Sequence, residues 1–268
     1  MGLMPSSAAR LALVTTTAQV AAVAAELTAA DSAGPIAAEG LALELLVEVA
    51  LRMWHVLTKA DQEAHAERFD TELIFDHIHS ADLGSRPFRL FGDNGDYTCD
   101  ALIIATGASA LWLGIESETR LRGRGVSACA TCDGFFFKDR EIAVVGGGDT
   151  AFEEATYLTR FATKVHLLHR RDTFRASKIM VDRALAHPKI DVHPNVTVEE
   201  VVGSEKVRGV KLKDTQTGET SDLDVEGLFI AIGYEPNTAA FRDWLTVDEK
   251  GYLVVRDETG SNVEGVFI

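Results

Sequence analysis

The sequence predicts an α/β protein built around a dinucleotide-binding βαβ unit, and three observations predict it. An apolar run, Ile142 to Val145, ends in the glycine-rich turn Gly146-Gly147-Gly148-Asp149-Thr150-Ala151 and opens into a helical pattern reaching Leu158. A second strand, Lys164 to Leu168, follows that helix, and its end leads into the basic cluster His169, Arg170, Arg171 and Arg175. A pair of thiols, Cys129-Ala-Thr-Cys132, stands shortly before the glycine turn.

Each part of this unit has a mechanical reason. Gly146 permits the tight step from strand to helix, Gly148 lets the backbone approach a pyrophosphate with no Cβ in the way, and Ala151 allows helix to pack closely on strand. Asp149 or Thr150 is expected to cap the helix, whose N-terminus then points at phosphate. An NAD-binding unit places an acidic residue about 20 positions past its glycines for the ribose 2′-hydroxyl, whereas an NADP-binding unit supplies arginine for the 2′-phosphate. Here His169, Arg170, Arg171 and Arg175 follow the second strand, and guanidinium forks suit a phosphate dianion. The expected cofactor is therefore NADPH. Cys129 and Cys132, at i and i+3, can close a disulfide within one helical turn and so store two electrons, with a helix N-terminus or a cation activating the attacking thiol.

Taken together, Ser127-Ala-Cys-Ala-Thr-Cys-Asp-Gly-Phe-Phe-Phe137 and Val144-Val-Gly-Gly-Gly-Asp-Thr-Ala-Phe-Glu-Glu-Ala155 resemble the low-molecular-weight thioredoxin reductases, from about His65 to Ile268. The resemblance implies a Rossmann-like NADPH domain inserted in a FAD-binding domain of the pyridine nucleotide-disulfide oxidoreductase type. It divides the chain into residues 1–63, unmatched; 64–115, a partial FAD domain; 116–242, the NADPH domain with the dithiol; and 243–268, the start of the returning FAD segment. It also implies the reaction: electrons pass from NADPH through FAD to Cys129-Cys132 and on to thioredoxin. In this scheme Cys129 attacks thioredoxin, Cys132 faces the flavin, and Asp133 gives a proton to the leaving thiolate. Ile232 and Gly233 border the NADPH, and Ala105-Thr106-Gly107 lies against the FAD. Family members are cytoplasmic homodimers, with linkers near Gly107 to Gly125 and Pro236 to Asp243 that let one domain turn against the other.

The remaining segments follow in chain order. Met1 to Ala38 is rich in Ala, Thr and Val behind Arg10, a pattern weighed as a secretory signal, but Thr15 to Thr17 and Gln19 interrupt its apolar run. Leu41 to Leu57 reads as an amphipathic packing helix, with Glu44, Glu48 and Arg52 on one stripe, and His65 to Phe69 as the close of a helix. Before His65 the only glycines are Gly2, Gly34 and Gly40, so no second glycine fingerprint can be drawn there, and the chain stops at Ile268 where the family's closing Gly-Asp segment is due. The expectation is a shortened family member, and the alternative function is an NADPH-binding fragment whose dithiol does not turn over because FAD is not held. Thr71 to His77 reads as a strand. Phe88 to Phe91 and Asp96 to Thr98 read as a hairpin across Asp93-Asn-Gly95. Asp100 to Gly107 is a buried strand, with Cys99 a packed thiol before it. Glu116 to Arg124 is charged and reads as the linker. Ala176 to His187 is a helix, Ile190 to His193 a strand, Val207 to Lys213 and Thr220 to Leu223 a hairpin, and Gly227 to Gly233 a buried strand.

Composition excludes other classes. With 26 basic against 41 acidic side chains the formal charge is −15, unsuited to nucleic acid or anionic lipid. Three cysteines are too few for a disulfide scaffold or a four-cysteine zinc site and suit a reducing compartment. A zinc-bound Cys-x-x-Cys with histidine partners is the remaining rival, and the histidine spacing carries no metal-site expectation.

Overall fold

Short apolar runs punctuated by glycines and charged turns become strands along the chain, gathered in two units in the computed structural model, which describes residues 9–15, 20–27, 66, 68 and 71–268. One unit is Met1–Ala108 with Pro236–Ile268, and the other is Ser109–Glu235. The helix expected at Leu41 to Leu57 lies outside the described residues.

The first unit holds β1 (Ala9–Thr15), β2 (Val20–Leu27), β3 (Glu72–Asp76), β4 (Ile78–Asp82), β5 (Phe88–Gly92), β6 (Asp96–Cys99), β7 (Ala101–Ala105) and the late strand β18 (Val266–Phe267). Its larger sheet has the order β18-β7-β1-β2-β3. β7 is flanked in parallel by β1, with Leu13 opposite Ile103, and by β18, with Val266 opposite Leu102. Residues 1–63, which the sequence leaves outside any pattern, thus contribute two strands to this sheet. The hairpin at Asp93-Asn-Gly95 forms with Leu90 opposite Tyr97, and Gly92 N–H donates to the Gly95 carbonyl at 2.8 Å. Leu102 and Ile104 of β7 alternate into a core with Val14, Phe88, Leu90, Phe241 and Cys99; burial pushes the Cys99 thiol up to about 12, so it is a packed, unreactive group.

The chain leaves this unit through β8 (Ala108–Ala110) and returns through β17 (Tyr234–Pro236). Between them lie α1 (Glu116–Leu121), β9 (Val126–Ser127), α2 (Ala130–Asp133), β10 (Glu141–Val145), α3 (Asp149–Leu158), β11 (Lys164–Leu168), α4 (Lys178–Leu185), β12 (Ile190–His193), β13 (Val196–Val202), β14 (Gly209–Asp214), β15 (Thr220–Leu223) and β16 (Gly227–Ile230). A parallel sheet runs β12-β11-β10-β16-β9. Because side chains alternate across a strand, Ile142 and Val144 face one core with Phe152, Ala155, Leu158 and Ala184 of the helices. Ala143 faces the other with Val198, Val201, Val210 and Leu212 of the β13-β14-β15 meander. The sheet is covered on both faces, as parallel sheets require.

Several elements, β4, β8 and β9 among them, have no counterpart in the expectations, and two differ for a reason visible in the structure. The charged stretch at Glu116 is a helix, because Glu118 is buried and its carboxylate accepts the N–H groups of Leu113 (2.9 Å) and Gly114 (3.0 Å), while the Arg122 guanidinium lies 3.8 Å from the Trp112 ring. The charges serve the turn instead of a solvated linker. β13 has no counterpart in the sequence reading because a register shift between Val198 and Glu200 breaks its alternation.

Candidate functional site

The residues expected to bind a nucleotide lie at the carboxyl ends of β10 and β16, where the strand order reverses direction, the place where an open α/β sheet takes a ligand. β10 runs into the glycine turn, and each glycine there has a distinct job. A Cβ on Gly146 would strike the Ala231 carbonyl oxygen and come within 2.6 Å of the Ala151 Cβ, so the turn closes only with glycine, and Ala151 is fully buried beside it. A Cβ on Gly147 would run into the His169 ring. A Cβ on Gly148 would meet nothing within 4 Å: that space is open, and it lies at the start of α3, whose first N–H groups lack intrahelical partners.

The expected site residues are arranged as follows. Thr150 is exposed in the first turn of α3. Asp149 does not cap its own helix; the N-cap is Gly148, and the Asp149 carboxylate accepts the Ser177 N–H at 2.8 Å. It therefore ties the glycine turn to the start of α4. His169 is buried, packs against Phe174 with ring centroids 5.1 Å apart, and bonds through Nε2 to the Thr173 carbonyl at 3.0 Å. It is a wedge that holds the turn, with no free donor on that nitrogen for a ligand. Arg170, Arg171 and Arg175 are exposed and pair with no carboxylate among the described residues. Their segment is drawn onto the turn by the Gly147 carbonyl, which accepts the N–H groups of Arg175 (2.8 Å) and Ala176 (3.1 Å). Ile232 and Gly233 follow β16; Gly233 has φ +121°, and its carbonyl accepts the Leu111 N–H at 2.9 Å. An open space beside a helix N-terminus, with three exposed arginines on the segment bonded to the Gly147 carbonyl, fits a dinucleotide carrying an extra phosphate.

The dithiol occupies the same unit. Cys129 and Cys132 are joined in a disulfide with Cα atoms 5.3 Å apart. Cys129 is the N-cap of α2, its sulfur accepting the Cys132 N–H at 3.2 Å, with the Thr131 hydroxyl 3.4 Å away. The Cys129 N–H in turn donates to the Ser127 hydroxyl at 3.0 Å. Cys129 is half-buried and Cys132 exposed, and Asp133, half-buried, ends the helix with its N–H on the Cys129 carbonyl at 3.1 Å.

In the other unit Ala105 ends β7, Thr106 is buried, and Gly107 turns at φ +57°. Asn237 clamps this turn, its side-chain amide donating to the Thr106 carbonyl and its N–H to the Gly107 carbonyl, each at 3.0 Å. These residues fit one side of a flavin site. The neighbouring β1 pairs antiparallel with β2, the next described strand.

Sequence reasoning passed over Glu154 on α3. One of its carboxylate oxygens is buried without a hydrogen-bond partner among the described residues, and desolvation pushes its pKa up to about 7. A glutamate in a helical run carries no such signal in sequence.

The family model described as pyridine nucleotide-disulphide oxidoreductase matches residues 8–268. The chain is 57% identical over 212 residues to a thioredoxin reductase of Vibrio cholerae, covering 76% of this chain and 66% of the relative. It is 51% identical over 212 residues to a glucosaminate ammonia-lyase of Pseudomonas fluorescens, with the same coverage. Among solved structures, a thioredoxin reductase from Giardia duodenalis superposes with a TM-score of 0.67 at 40% identity, over 76% of this chain and 68% of that one. The chain thus spans about two thirds of the length of these relatives. No helix among the described residues is long and apolar enough to cross a membrane.

Proposed function

Because this chain belongs to the pyridine nucleotide-disulphide oxidoreductase family, in its thioredoxin reductase branch, we propose that it is a thioredoxin-disulfide reductase drawing on NADPH and FAD. The observation that carries the reading is the Cys129–Cys132 disulfide in one unit with an open glycine cradle and three exposed arginines. A relative of similar identity is named a lyase, so the reaction is read from the dithiol and not from overall likeness.

Arg170, Arg171 and Arg175 hold the 2′-phosphate, Gly148 and the N-terminus of α3 the pyrophosphate, and Ile232-Gly233 the remainder of the nucleotide. Ala105, Thr106 and Gly107 would line FAD, which would supply a two-electron relay between NADPH and the disulfide. The two electrons and two protons convert Cys129–Cys132 to two thiols. The Cys129 thiolate then attacks thioredoxin's disulfide to form a mixed disulfide, Asp133 protonates the leaving thiolate, and Cys132 attacks the Cys129 sulfur. Reduced thioredoxin departs and the Cys129–Cys132 bond is restored. We place the working protein in the cytoplasm as a homodimer.

The test is NADPH oxidation by the FAD-supplemented protein with a bacterial thioredoxin. Turnover is expected in the wild type and is lost in C129S and C132S, both of which still bind NADPH. C132S accumulates a mixed disulfide with thioredoxin, visible by non-reducing electrophoresis. Undiminished turnover in C132S would refute the proposal.

A further inference from the structure

The edge of the parallel sheet in the NADPH unit carries a second cluster of chemistry-bearing side chains that the reductase reading does not use. β11 and β12 pair in parallel with His166 opposite Asp191 and Leu168 opposite His193, so His166, Asp191 and His193 project from one face of two adjacent strands. The Nδ1 of His166 lies 3.0 Å from the Nε2 of His193. Oδ2 of Asp191 is 3.6 Å from that Nε2 and 3.9 Å from that Nδ1. A triangle with these sides has a point about 2.1 Å from all three atoms, which is the bond length of Zn²⁺ to imidazole nitrogen and carboxylate oxygen. We propose that His166, Asp191 and His193 form a binding site for a borderline divalent cation of the Zn²⁺ class.

Three further features suit that ion. Glu141 accepts from the Nε2 of His166 at 3.2 Å, which leaves Nδ1 as the ligand nitrogen and reproduces the carboxylate–histidine–metal arrangement that fixes ring and tautomer. His166 is buried, with its side chain 4% exposed, while His193 and Asp191 are 29% and 46% exposed, so an ion enters from solvent on the Asp191 side and keeps water in its remaining position. The ligands sit on paired strands, where the backbone holds them in register. One group opposes the ion: the Lys164 ammonium is 3.0 Å from Asp191 Oδ2. Its side chain is 41% exposed and is free to swing into solvent, at a cost in affinity. The site would cross-link β11 to β12 just before His169, whose N–H already donates to the His193 carbonyl at 2.9 Å.

The experiment titrates ZnCl₂ into the chelator-treated, tag-free full chain in its disulfide form, so that Cys129 and Cys132 offer no thiolate, and follows heat and melting temperature. Visible absorbance of the Co²⁺ form reports the ligand set. The expected result is one Zn²⁺ per chain with a raised melting temperature. Affinity falls about ten-fold or more in H193A and in D191N, falls by a smaller factor in E141Q, and rises in K164Q, where the competing charge is gone. D191N carries the test if H193A does not fold, because Asp191 is half-exposed. No stoichiometric binding, or binding unchanged in H193A and D191N, overturns the proposal; the latter would assign the ion to other residues.

Discussion

In the proposed function Arg170, Arg171 and Arg175 decide cofactor choice. Each lost charge-assisted contact to a phosphate costs roughly 1.5–3 kcal/mol, so R171A is expected to weaken NADPH binding about ten-fold or more and leave NADH binding unchanged, measured by fluorescence titration of both nucleotides. Equal losses for the two would remove Arg171 from the 2′-phosphate site. Glu154 sets a pH dependence instead. Desolvation raises its folded pKa from 4.5 to about 7, so the folded state favours the protonated form; stability is greatest below the ordinary value and declines as pH rises through about 7. The penalty is at most about 3 kcal/mol. E154Q is expected to flatten this slope, so that its urea midpoint exceeds that of the wild type at about pH 8 and the two converge near about pH 4.5. A slope equal to that of the wild type would show that Glu154 ionises freely. The arginines were legible in the sequence because a basic cluster stands out in a chain of charge −15. The working role of His169 was not, since a histidine among arginines reads as one of them until the ring is seen on Gly147.

At the scale of the element, the glycines of the turn differ in their surroundings, and under the proposed function that difference separates folding from binding. G146A forces a Cβ onto the Ala231 carbonyl and is expected to cost about 1–3 kcal/mol of stability. G148A adds a Cβ to open space; its melting temperature should stay at the wild-type value while NADPH affinity falls about ten-fold, because the methyl occupies the place where the pyrophosphate approaches. If G148A binds NADPH normally, the cradle is not where the nucleotide lies. The strands β10, β11 and β12 were legible from residue pattern alone, as was the hairpin across Asp93-Asn-Gly95. β13 was not, because its bulge shifts the alternation midway, and α1 was not, because a buried carboxylate satisfying two backbone N–H groups looks in sequence like any surface glutamate.

Across the whole molecule, nucleotide binding should act on one unit. A ligand at 100 times its dissociation constant stabilises the form that binds it by about 2.7 kcal/mol. NADPH is therefore expected to raise amide-exchange protection in β10, α3, β11 and β16 more than in β4, β5 and β6, measured by hydrogen exchange with mass spectrometry; uniform protection would argue against a nucleotide site confined to residues 109–235. The sequence by itself determined what depends on neighbours along the chain: the glycine turn, the dithiol at i and i+3, the arginines after β11, and hence an α/β dinucleotide-binding unit. Only the tertiary structure decided what depends on strands meeting across long separations. It set β1 and β18 on either side of β7, closed His169 over Gly147, clamped Thr106 and Gly107 with Asn237, and brought His166 within 3.0 Å of His193, 27 positions away. Parallel register is imposed by the helices and cores that pack the sheet, and no spacing within a single segment encodes it.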